Sequence, residues 1–209
     1  MEWLVKRTHP YATDLDKHWS VPLAIAAISI VSAWLLYLGL AAIPLAIPWW
    51  VDAPSVAGFY GIFFTLFDKW LWRMEPLRKA LRAHNLNGNY VGVLSSSFDK
   101  QATKHNATLS ITQTWSEISI VLMTNESRSH SVTASLLTEM GWLSYEYLNE
   151  PKPGTRDTMH CHRGSARFSL DTDRVLEGEY YSGRDRQNCG LLHFERVKVD
   201  AQSGTSKSK

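Results

Sequence analysis

The chain has 209 residues, 44% of them hydrophobic, and sets 22 Lys and Arg against 20 Asp and Glu. A formal charge of +2 is too small to mark a nucleic-acid groove, so DNA and RNA are excluded as expected partners, and two cysteines cannot staple a small fold. What stands out is where the apolar residues lie.

Residues 1–20 read as a cytoplasmic N-terminal segment, mixing Lys6, Arg7 and Lys17 with Glu2, Asp14 and Asp16. A charge-free run follows from Val21 to Val51, and one aspartate later a second apolar stretch covers Ala53 to Phe67. A bilayer core of about 30 Å takes roughly 20 apolar residues as helix, so the first run is ample. The second, starting at Pro54, reaches that length with Trp70 and Trp72 at the interface. Residues 21–72 are therefore expected to form two transmembrane helices. Pro44, Pro48 and the Trp49-Trp50 pair end the first near Ile43 and place an interfacial turn before the second. Bases flank both outer ends, with Lys69, Arg73, Arg78, Lys79 and Arg82 after the second run, whereas the connection around Asp52 has none. The positive-inside rule then puts both termini in the cytoplasm. A cleaved signal peptide fits poorly, because the leader carries acids, the run is too long and a second one follows.

Residues 73–86 read as a linker, with a short helix after Pro76 on the spacing of Leu77, Ala80 and Leu81. From Asn87 the hydrophobic period changes to two, and turn signals divide residues 87–199 into eight short strands. Leu109 and Ile111 share a face, as do Ile118, Ile120 and Leu122, then Leu143, Tyr145 and Tyr147. The sixth strand begins near Thr158 and lines up His160, His162, Gly164, Ala166, Phe168 and Leu170. The seventh lines up Leu176, Gly178, Tyr180 and Arg184, and Leu192 with Phe194 marks the eighth. Eight antiparallel strands with one apolar stripe each, and no helix to cover a sheet, are best buried by closing into a small antiparallel eight-stranded β-barrel; a sandwich is the alternative. The stripes run from aliphatic at one end to Tyr, His or Arg at the other, the pattern of a plugged barrel with one polar mouth. A cytoplasmic domain keeps Cys161 and Cys189 as free thiols and the sequons at Asn106 and Asn125 idle. Residues 200–209, rich in Ser and Lys, read as a disordered tail.

A two-helix hairpin ahead of a β-rich domain that contains "NLNGNYVG", "SSSF", "SITQTWSEISIVLMTNESRS", "YEY", "HRGSARFSL" and "LEGEYYSGR" in that order resembles the membrane effectors of bacterial CBASS anti-phage defence. These are the two-transmembrane, β-strand-rich effectors associated with cyclic-nucleotide synthases. Tyr90 stands where this pattern would have Trp, which touches only local packing. The resemblance implies a receptor and not an enzyme. A cyclic oligonucleotide from a partner synthase, most simply a cyclic dinucleotide, would bind in the barrel, and homo-oligomerisation of the hairpins would disrupt the inner membrane of the infected cell. It implies a multi-pass inner-membrane protein with a cytoplasmic barrel, and no cofactor.

The residues suit such a ligand. Bases stack on aromatic faces and phosphates take the fork of an arginine. Tyr145, Tyr147, Tyr180 and Arg184 supply both groups on inward faces, His162 sits at the polar mouth, and Arg128 with Ser95, Thr124, Ser127 and Ser129 is placed at neighbouring strand ends. Each tyrosine has a competing reading as core packing, and Arg186 replaces Arg184 as ligand if a bulge shifts the register. Two rival functions use the same residues. His160, Cys161 and His162 with Cys189 have a spacing able to chelate zinc, but no third ligand and general base follow in a recognisable motif. A membrane-anchored barrel carrying a lipid or fatty acid is the alternative, with Arg184 on the carboxylate. In the hairpin, Gly39, Gly58, Gly61, Ala41, Ala42 and Ala57 permit close helix contact.

Overall fold

A computed structural model describes residues 7–15, 17–41, 52–97, 100, 103–155, 160–171, 174–183 and 188–197. The expected interfacial turn at 44–50, the start of the sixth strand near Thr158, Arg184 and Arg186, and the tail at 200–209 lie outside these residues.

Two long helices form where charge is absent. α1 spans Lys17–Ala41 and α2 spans Asp52–Lys69. At about 1.5 Å per residue, the 25 residues of α1 are long enough for a bilayer core. The most apolar 18 residues of its stretch His18–Leu40 have a mean hydropathy of 2.2. The hydroxyls inside it are satisfied locally: Ser29 Oγ donates to the Ile25 carbonyl at 2.7 Å and Ser32 Oγ to that of Ile28 at 2.8 Å. After α2 the chain makes a 3-10 turn, Leu71–Arg73, and then the short helix α3, Glu75–Leu81, with Pro76 in its first turn as its fixed φ favours.

The strands that follow alternate as their sequences require. They are β2 (Gly88–Ser95), β3 (Lys104–Gln113), β4 (Glu117–Thr124), β5 (Ser127–Leu137), β6 (Trp142–Pro151), β7 (His162–Ser169), β8 (Val175–Ser182) and β9 (Cys189–Arg196). Neighbours in sequence pair antiparallel, and β9 returns to pair with β2. The inward stripes read from the sequence are the buried ones: Leu109 and Ile111, Ile118 and Ile120, Leu143, Tyr145 and Tyr147, Ala166 and Phe168, Leu176, Leu192 and Phe194.

The barrel nevertheless has nine strands, not eight. β1, His9–Thr13, comes from the segment expected to be a plain N-terminal extension. β4 and β5 pair only near their connecting turn, from Val121 with His130 to Met123 with Arg128, and then part. β1 fills the gap, antiparallel to β4 through His9 with Ile118 and parallel to β5 through Tyr11 with Ala134 to Thr13 with Leu136. Five residues containing Pro10 carry too little hydrophobic pattern to announce a strand; partners on both sides make it one. β5 adapts with a bulge between Ser131 and Thr133, which moves the inward side chains from odd to even positions.

One end of the barrel is plugged. Leu86 is fully buried across it, its N–H donating to Gln113 Oε1 at 2.9 Å, while Gln113 Nε2 donates to the His84 carbonyl at 3.2 Å. Tyr90, in place of the Trp of the pattern, is fully buried, and its hydroxyl donates to the Leu86 carbonyl at 3.0 Å. Tyr11 Oη donates to the Trp115 carbonyl at 2.9 Å, and burial pushes its pKa up to about 12.

The helices attach at this plugged end. The β3–β4 turn presents Trp115 to α1 and α2, where its ring stacks on His18 at 5.4 Å and meets Phe67 edge-on at 5.3 Å and Trp72 at 6.3 Å. Asp68 caps the turn: its Oδ1 accepts from Ser116 N at 2.9 Å and Ser116 Oγ at 2.8 Å, and its carbonyl accepts from Trp115 N. Val21 and Ile25 complete the cluster. Trp72 Nε1, Trp115 Nε1, Arg73 Nε and His18 Nε2 are buried here with no hydrogen-bond partner among the described residues, so apolar packing and the Asp68 cap hold this junction together.

Candidate functional site

A cavity of about 700 Å³ opens at the other end of the barrel, away from the helices, and this volume is in the range of small-molecule sites. Leu94, Leu122, Ala166 and Leu192 form its deeper wall, and Tyr145, Tyr147 and Tyr180 its flanks. Around the mouth stand Ser96, Lys104, His105, Asn106, Asn125, Glu126, Ser127, Ser129, Asn149, His162, Ser182 and Asn188.

The tyrosines are held in place by what lies opposite. Tyr147 on β6 pairs with Gly164 on β7, and Tyr180 on β8 with Gly190 on β9. A Cβ at Gly164 would collide with the Tyr147 ring, and one at Gly190 with the Tyr180 ring. Each ring thus rests across a strand that has no side chain there, a cross-strand arrangement that fixes aromatic groups against a barrel wall. Below them Tyr145 stacks on Phe168 at 6.1 Å, with planes 20° apart, and Tyr147 leans on it at 6.2 Å. Tyr145 is buried, and burial, with Tyr147 beside it, holds its pKa well above the usual phenol value. It is a neutral, apolar-faced wall. His162 meets the edge of Tyr147 at 6.5 Å, and its Nδ1 donates to the His160 carbonyl at 3.0 Å, which leaves Nε2 to face another partner.

Of the residues read from the sequence, Tyr145, Tyr147, Tyr180, His162, Thr124, Ser127 and Ser129 come together on this cavity. The Thr124 hydroxyl is engaged in the β4–β5 turn, accepting from Ser127 N at 3.0 Å and Glu126 N at 3.2 Å. Ser95 and Arg128 do not line the cavity. Both have the outward parity of their strands: Arg128 sits beside Met123 and Glu150 between the inward Ser127 and Ser129, and Ser96 takes the place expected of Ser95. Lys104, His105 and Asn149 were not singled out from sequence. Parity could have found two of them, since His105 continues the stripe of Leu109 and Ile111, and Asn149 that of Tyr145 and Tyr147. Among the described residues no three His, Cys, Asp or Glu side chains gather as a metal group, and Cys161 and Cys189 are both free thiols.

Residues 81–196, which take in β2 to β9 and every residue on the cavity, match the family model described as "Cap15, cyclic dinucleotide receptor domain". The chain belongs to the Cap15 family. A second Cap15 model, described as "TM helices", matches residues 20–73, so α1 and α2 are the membrane part of a membrane protein. CD-NTase-associated protein 15 of Yersinia aleksiciae is 34% identical over 148 residues, covering 69% of this chain and 70% of that protein. CD-NTase-associated protein 15 of Staphylococcus schleiferi is 25% identical over 152 residues, covering 71% and 81%. The resemblance read from the ordered motifs is thereby borne out, as is the architecture of membrane helices joined to a closed barrel. Cap15 is a receptor family, which accounts for a cavity with stacking surfaces.

Proposed function

We propose that this chain is the membrane effector of a CBASS anti-phage system, in which a cyclic dinucleotide fills the barrel and drives the hairpins of several copies to assemble and disrupt the inner membrane. The observation that carries the reading is the set of tyrosines laid over glycines around a ligand-sized cavity. Aromatic faces take bases irrespective of sequence, and the Asn, Ser and His groups of the mouth supply donors and acceptors for base edges and ribose. Lys104 on the rim offers positive charge and His105 a ring N–H to the phosphates, and Arg184 is proposed as a further phosphate ligand from its place two residues beyond Ser182. Tyr145, Tyr147, Tyr180 and His162 are the proposed stacking and mouth contacts.

The shared barrel supports a multi-pass arrangement. β1 precedes α1 and β2 to β9 follow α2 in one barrel, which favours both flanks of the helix pair lying on one side of the bilayer. The bases on those flanks favour the cytoplasmic side.

Thermal melting of the full chain in detergent, against cyclic dinucleotides, cyclic trinucleotides and fatty acids, tests the ligand. A native-state ligand raises Tm with concentration, by an amount set by its affinity. The expected result is stabilisation by one cyclic dinucleotide, lost in Arg184→Ala, followed by ligand-dependent dye release from liposomes carrying the protein. Stabilisation by fatty acids alone would replace this reading with a lipid carrier.

A further inference from the structure

The segment that joins α2 to the barrel has two unlike sides. Inward, Trp72 is fully buried, Leu81 packs against its cluster, and Arg73 Nη2 donates to the Gln113 carbonyl at 2.7 Å. Outward, apolar side chains are only partly covered: Trp70 is 58% exposed, Leu71 39%, Met74 52% and Leu77 37%. Trp19, 80% exposed at the start of α1, stands at the same end of the antiparallel pair as Trp70. Exposed tryptophans at matching ends of two apolar helices mark the headgroup level of a bilayer, and α3 begins just beyond it.

Charge follows the same strip. Lys69, Lys79 and Arg82 are exposed, with Arg73 and Arg78 half-buried among them. The acids are already engaged. Asp68 accepts from Ser116, and Glu75, held below its ordinary pKa by Lys79, pairs with that lysine at 2.7 Å. Apolar side chains interleaved with bases, continuous with a membrane helix, are the composition of an interfacial arm.

We propose that residues 70–82 bind the surface of the bilayer, with Trp70, Leu71, Met74 and Leu77 at the headgroup–acyl boundary and the bases on the phosphates of anionic lipids. This rests on the membrane assignment and not on the identity of the barrel's ligand. A second copy of the chain is a poorer occupant, because a two-fold contact would set these bases against themselves, whereas an anionic leaflet complements them. The arm would fix the height and tilt of the barrel above the membrane.

Hydrogen exchange of the full chain in nanodiscs, at one copy per disc, tests this. Discs of phosphatidylcholine alone are compared with discs in which about one third is phosphatidylglycerol. Amides of residues 70–83 are expected to exchange about fivefold more slowly in the anionic discs at low salt, with the difference removed by high salt, while barrel amides stay unchanged. The double variant Lys79→Glu, Arg82→Glu, at two exposed positions, should lose the lipid dependence. Equal exchange in both lipids would overturn the proposal, and protection that grows only with copies per disc would reassign the strip to contact between chains.

Discussion

At the end of the barrel that carries the helices, the chain closes on itself: Leu86 crosses the opening, Gln113 ties it to His84, and Trp115 is wedged among His18, Phe67 and Trp72. At the opposite end the same strands finish in hydroxyls, amides and imidazoles around an open cavity. Each strand therefore serves stability with one half and recognition with the other. The floor can be dense because nothing has to enter there. The mouth is lined with polar groups that a ligand could meet, and it borrows rigidity from the floor.

This division predicts unequal effects of substitution. The largest belongs to Trp115→Ala. Removing a buried indole from the junction should destabilise the chain by about 3–5 kcal/mol, with the cavity left to shift or flood. Chemical denaturation in detergent measures it, and the molecules still folded should bind ligand with unchanged affinity. Strongly weakened binding would mean that floor and mouth are one unit.

Tyr180→Leu should do the reverse. The ring is half-buried and covers Gly190, so stability should fall by about 1 kcal/mol, whereas loss of a stacking face should weaken a cyclic dinucleotide by about tenfold or more. Titration calorimetry beside a melting curve separates the two numbers. A variant that melts early and binds normally would take Tyr180 out of the site.

The smallest effect is alkaline and tests both ends at once. Tyr11 at the floor and Tyr145 in the cavity wall have raised pKa values, each chiefly through burial. Below about pH 9 both are neutral whether folded or unfolded, so they make stability independent of pH there. Above it the unfolded phenols ionise while the folded ones keep their protons, and stability falls as pH rises, by roughly 0.8 kcal/mol for each tyrosine at pH 10.5. Tyr11→Phe and Tyr145→Phe should each flatten this part of the profile; a profile as steep in the double variant would assign the loss to other groups.

Much of the mouth was legible in the sequence because a barrel strand has period two. Once Leu143 and Phe168 point inward, Tyr145, Tyr147 and His162 must follow. The misses came where that rule was not applied or where an element carried too little pattern for it. Ser95 and Arg128 were grouped by nearness to strand ends and not by parity, and parity puts both outside. β1 was hidden for a different reason. Its sequence is short, contains a proline and has little apolar pattern, and its pairing depends on β4 and β5 having parted. The turn that Trp115 occupies is shaped by Asp68, a residue of α2 that no local pattern connects to it.

β1 also gives the order of synthesis a structural meaning. Its residues are made before the other strands, yet Asp14, just beyond it, accepts hydrogen bonds from Thr138 and Glu139, which lie 124 and 125 positions later. Between the two, α1 and α2 must enter the bilayer. The barrel is thus a late product of translation, and the long wait for distant partners makes its closure slow compared with any hairpin within it. It closes only if the leading residues remain on the side where the rest emerges. A chain inserted the wrong way round would leave β4 and β5 with open edges, a form suited to aggregation and removal and not to signalling. Completion of the ligand cavity would in this way report that the hairpin had been inserted correctly, before any ligand is present to be sensed.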